Sequence, residues 1–137
     1  TSNGTTWTLR SQGTKGGFWT SVQCTSATNC VLMGADGNFK AEIATTSSGA
    51  TFKATLYPKV KFTGLACRQT LCVTTAYDPY SKTPTTFYTS TNSGAKFTVT
   101  KGTVKPFTTD APEAISCATT TFCLATTVQG AFAVYKP

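Results

Sequence analysis

Three close cysteine pairs, each preceded by one strand-like run and followed by another, divide this chain into three copies of one unit. Internal repetition is the strongest constraint a sequence can place on a fold, because each copy must solve the same burial problem. The pairs are Cys24/Cys30, Cys67/Cys72 and Cys117/Cys123, spaced C-x5-C, C-x4-C and C-x5-C. Aligned on them, the copies begin near Phe18, Lys61 and Ala111. The segment Ser47–Phe52 (SSGATF) matches Asn92–Phe97 (NSGAKF), and the third copy of that segment stands at the other end of the chain, at Ser2–Trp7 (SNGTTW). Gly4, Gly49 and Gly94 lie 45 residues apart, and the wrap from Gly94 through the C-terminus back to Gly4 is 47. This predicts one domain over 1–137, in which an N-terminal strand within 1–10 completes the C-terminal repeat 101–137.

Each copy offers four strand signals bounded by turn formers. The first runs into the leading cysteine (Phe18–Cys24, Lys61–Cys67, Glu113–Cys117) and the second leaves the trailing one (Cys30–Gly34, Cys72–Ala76, Cys123–Thr127). The third falls near Asn38–Thr46, Thr85–Thr91 and Ala131–Lys136, and the fourth follows the glycine (Ala50–Thr55, Ala95–Thr100, Thr5–Arg10). Period-two alternation shows in Val31/Met33 and Phe132/Val134. Threonine runs such as Thr119–Thr121 are β-branched and disfavour helix. Only 12% of residues are charged, so neutral polar side chains must cover the surface. The fold class is therefore all-β, three four-stranded antiparallel repeats.

An even number of cysteines in tight pairs on a short chain predicts disulfides and an oxidising, extracellular location. The rival reading is zinc, but the 137 residues include no histidine. No apolar run approaches a membrane span. A chain that opens at Thr1 without a signal peptide reads as a mature product or a cut piece. The net charge of +7 favours acidic partners, yet the twelve basic residues are scattered singly, which argues against nucleic acid and fits a solubility role.

With the residues in view, a resemblance follows. V-x-C-x5-C-V-x-x-G, then A-x-I-A-T-T-x-x-G-A-T-F, resembles the repeat of BNR/Asp-box β-propellers, the sialidase-like and photosystem-assembly-factor-like proteins. Gly4, Gly49 and Gly94 fit the S-x-D-x-G-x-T-W pattern, as do the aromatics Trp7, Phe52 and Phe97; Asn3, Ser48 and Ser93 stand near the place of the aspartate. The resemblance implies a structural turn there, not a catalytic one. It also implies four-stranded blades around an axis. Closed propellers have about four to eight blades, so two chains of three blades would make a six-bladed dimer. The alternative is a β-trefoil, which also has three four-stranded repeats and closes as a monomer.

Catalytic constellations are missing. Without histidine there is no Ser-His-Asp or Cys-His arrangement. The carboxylates amount to Asp36, Glu42, Asp78, Asp110 and Glu113, and the arginines to Arg10 and Arg68, too few for a sialidase-like cluster. The chain is expected to be no enzyme, with no cofactor and no metal. Binding is the better expectation. Shallow lectin sites combine aromatic platforms with a few polar groups. The candidates are Trp19, whose counterparts are Phe62 and Pro112; Tyr77 and Tyr80 in a long loop; Arg68 inside a cysteine loop; Arg10; and Asp36, which also reads as a turn cap beside Gly37. The expected function is a secreted carbohydrate-binding protein, multivalent through its repeats and through dimerisation. A protein-binding or inhibitory module is the alternative.

Overall fold

The computed structural model describes Thr5 and residues 16–47, 51–77, 86–100 and 112–136. Among the described residues eleven strands form, most of them close to where alternation and turn residues place them. Phe18–Cys24 (β1), Cys30–Ala35 (β2), Ala41–Ser47 (β3) and Thr51–Tyr57 (β4) form one antiparallel meander. Lys61–Arg68 (β5), Leu71–Tyr77 (β6), Thr86–Ser90 (β7) and Thr98–Val99 (β8) form a second. Pro112–Thr119 (β9), Phe122–Thr127 (β10) and Phe132–Tyr135 (β11) form a third. The expected twelfth strand, Thr5–Arg10, lies outside the described residues apart from Thr5, as do Gly4, Trp7, Gly49, Arg10 and Tyr80.

All pairings between described strands stay within one repeat. A trefoil joins its repeats by strand pairing into a barrel, so this topology corrects the trefoil alternative. The sheets meet face to face. Val31, Met33 and Ile43 of the first sheet pack on Leu65, Cys72 and Phe97 of the second. Leu71, Val73 and Phe87 of the second pack on Cys123, Ala125 and Tyr135 of the third. β6 is thus covered on both sides and buried along Leu71–Ala76, whereas β10 alternates exposed and buried residues. A strand buried on both faces reads as a near-continuous apolar or small-residue run, and one buried on a single face alternates.

The three disulfides join residues that are direct register partners or nearly so, with Cα separations of 3.9 Å for Cys24–Cys30, 4.1 Å for Cys67–Cys72 and 4.0 Å for Cys117–Cys123. No thiol is free, which removes the zinc alternative. The first strand of each sheet carries a β-bulge at the same place, after Trp19, after Phe62 and beside Pro112. A Cβ on Gly34 would stand 2.0 Å from the Phe18 carbonyl oxygen, so only glycine fits opposite the bulge in the first sheet.

Pro112, the counterpart of Trp19 and Phe62, is fully buried. Proline is tolerated because it opens β9 at the sheet edge, where its missing N–H leaves no ladder bond unmade. The fourth strand of repeat two is shorter than Ala95–Thr100, because residues 90–97 are taken up by the turn. The Ser90 hydroxyl donates to Asn92 Oδ1 at 2.7 Å, Gly94 N–H donates to Ser90 Oγ at 3.0 Å, and Lys96 N–H donates to Asn92 Oδ1 at 3.2 Å. Asn92, not Ser93, therefore does the work expected of the motif's polar side chain. Ser93 takes a left-handed φ of 58° and its N–H donates to Thr70 O at 2.9 Å, tying this turn to the β5–β6 hairpin. Phe97, three residues past Gly94, is buried between the first two sheets.

Candidate functional site

Antiparallel order gives the molecule two rims. One carries the disulfide hairpins and the β7–β8 turn. The other carries the β2–β3 loop and the entries of β1 and β5, and it holds an aromatic groove of about 130 Å³. Phe18 and Thr20 of β1, Gly34 and Ala35 of β2, Phe39, Ala41 of β3, and Lys61 and Phe62 of β5 line it. The groove lies at the seam between the first two sheets.

Its most unusual element is the loop Asp36–Lys40. Asp36 Oδ1 accepts from Lys40 N–H at 2.8 Å and from Asn38 N–H at 3.0 Å, while Phe39 N–H donates to the Asp36 carbonyl at 2.9 Å. These bonds, that from the Lys40 amide foremost, hold the Asp36 carboxyl below its ordinary value of 3.8 against the opposing pull of burial. The loop so fixed places Phe39 at φ 60°, a region a bulky side chain seldom occupies. Its ring stands out into solvent and meets the exposed ring of Phe18 edge-on, centroids 6.0 Å apart at 62°. Such a conformation is costly for a bulky residue, and here the ring it holds is left exposed.

A second set of rings lies at the same seam. Phe62, Tyr57 and Tyr88 make three mutual T-shaped contacts, with centroids 5.1, 5.7 and 5.6 Å apart. Burial raises the phenol of Tyr57 above its ordinary value, opposed by a hydrogen bond at the Phe97 backbone, and burial raises Tyr88 likewise. Lys61 is the one cation in the lining. A second cleft, of about 340 Å³, lies on the disulfide rim and is lined by Asn29, Thr45, Thr46, Phe52, Lys53, Asn92, Ser93 and Ala95. It forms where the turn of the second sheet abuts the first, and Asn92 there is already committed to holding the turn.

Of the residues expected from sequence, Trp19, Asp36 and Tyr77 come to the aromatic rim. Trp19 is half-buried opposite Gly34, but its neighbours Phe18 and Thr20 are the ones that line the groove. Asp36 shapes the loop, as a turn cap would. Tyr77 ends β6 opposite Lys61 and is half-buried. Arg68 lies at the far rim, exposed at the end of β5. Sequence reading missed Phe18, Phe39 and Lys61. Phe39 falls within the third-strand signal near Asn38–Thr46, but β3 begins at Ala41, which leaves Phe39 in the preceding loop. Among the described residues no three of His, Cys, Asp and Glu gather as a metal site, and no helix is long and apolar enough to cross a membrane.

No protein-family model matches the chain, and no curated protein matches it in sequence. A solved structure, YCF48 bound to D1 peptide, is similar to it, with 13% sequence identity and a TM-score of 0.68. The match covers 88% of this chain but 37% of that one, so this chain spans little more than a third of that protein's length. At this identity the likeness bears on fold alone: the stacked meanders are β-propeller-like blades.

Proposed function

We propose that this chain is a non-catalytic, carbohydrate-binding module of the BNR/Asp-box kind, secreted, and multivalent through pairing of two chains. The observation that carries the reading is the exposed Phe18–Phe39 corner, held open by the Asp36 loop beside the Lys61 ammonium. The apolar face of a sugar ring stacks on such a corner, and the ammonium donates to hydroxyls or to the carboxylate of an acidic sugar. The three disulfides are compatible with an extracellular location. A glycan array probed with the wild-type chain and with Phe39→Ala tests this. The expected result is binding to a subset of glycans, weakened at least tenfold by the substitution, equivalent to about 1.4 kcal/mol. Silence across neutral and acidic glycans would remove the reading.

The second reading is a protein-binding module. Two observations favour it: the groove lining is mostly apolar, and the similar propeller was solved with a peptide bound. An apolar side chain of a partner would then occupy the space between Phe39 and Phe62. Capture of aromatic-rich, acidic peptides from a display library, lost in Phe39→Ala, would select this reading over the first.

A further inference from the structure

The repeats allow the faces of the three blades to be compared position by position. Val31 and Val73 each follow a trailing cysteine, and each is 0% exposed because the next blade covers it. The same position in blade three is Leu124, and it is 38% exposed. Ile43 and Phe87 pair with Met33 and Thr75 and are 3% and 4% exposed; the matching residue, Phe132, pairs with Thr126 and is 69% exposed. Blade three therefore carries large apolar side chains in slots that its two siblings use as inter-blade core, and among the described residues no blade lies against them. The opposite face of blade one shows the converse. Leu65, two residues before its cysteine, is 4% exposed, while Val22 in the same position is 58% exposed.

We infer that a second copy of this chain docks the Val22 face of its blade one against the Leu124–Phe132 face of blade three. The occupant follows from continuity with the interfaces already made. Blade one meets blade two, and blade two meets blade three, through these same positions. Among the described residues, the open face complementary to it is that of this chain's own blade one. A two-fold axis makes both new contacts at once and leaves no free face, so the assembly stops at two chains. Six blades fall within the range in which propellers close. The inference rests on the pairing in the preceding reading and not on its ligand.

Sedimentation equilibrium of the full chain tests it. The expected mass is twice the 14.4 kDa of one chain. Leu124→Lys and, separately, Val22→Lys should each weaken association more than tenfold and give one-chain mass at the same concentration, with circular dichroism unchanged because both residues lie on the surface of the single chain. A one-chain mass for the wild type at micromolar concentration would overturn the inference. So would dissociation by Leu124→Lys with no effect of Val22→Lys, which would mean that like faces pair. Because no ligand is present, an empty glycan array beside an intact dimer would sink the carbohydrate reading and leave this one standing.

Discussion

Asp36, Phe39 and Gly94 show how single backbone positions set up this molecule. The Asp36 carboxyl titrates below its ordinary 3.8 in the folded chain. A depressed carboxylate stabilises the fold at pH above its unfolded value and loses that contribution as pH falls through the folded value. The contribution is thus complete above about pH 5 and fades below about pH 4. Asp36→Asn should flatten the acid limb of a thermal-stability profile below pH 4 without changing its slope above pH 6; an unchanged acid limb would contradict the assignment. Phe39 holds a left-handed φ that glycine adopts freely. Phe39→Gly should leave urea stability unchanged or raise it by up to about 1 kcal/mol while removing ligand binding, separating the role of the ring from folding. Gly94 has φ 87°, and a Cβ there would stand 2.3 Å from Val31 Cγ2 of the neighbouring blade. Gly94→Ala meets both obstacles and should lower stability by roughly 2–4 kcal/mol, the sum of backbone strain and overpacking.

At the level of strands and hairpins, the sequence was a good guide wherever the determinants are local. Turn residues bounded the strands, alternation set their faces, and the cysteine pairs fixed the register of three hairpins. It was a poor guide where an element depends on a neighbour distant in sequence. Ser93 stands near the aspartate's place in the motif, but the side chain that holds the β7–β8 turn is Asn92, two residues before Gly94, because the offset from the glycine matters more than adjacency. Pro112 is acceptable in the buried slot through its edge position, which is a property of the sheet and not of the local sequence. The hairpins also differ in ways spacing does not reveal. Cys72 and Cys123 are fully buried, whereas Cys24 is exposed. Under limiting reductant, differential alkylation should find the Cys24–Cys30 bridge opened first, since attack on a disulfide needs access to a sulfur. Replacing Cys67 and Cys72 together with serine should cost about 2–3 kcal/mol, more than the same change at Cys24 and Cys30.

On the scale of the whole molecule, three similar repeats occupy unequal places. Blade two is covered on both sides, and the outer blades are covered on one. Chain order puts the second copy in the middle, but nothing local shows that Val73 is covered and Leu124 exposed, or that a groove opens between the first two blades. Once the order is known, β6 becomes the strand whose exposure requires both inter-blade interfaces to part. Amide hydrogen exchange on the dissociated Leu124→Lys chain tests this stacking most directly. The backbone amides of Leu71–Ala76 should exchange most slowly, at the rate of global unfolding, with those of β2 and β10 measurably faster. Equal protection of the second strand in all three repeats would mean that the blades do not stack as an arc with β6 at its centre.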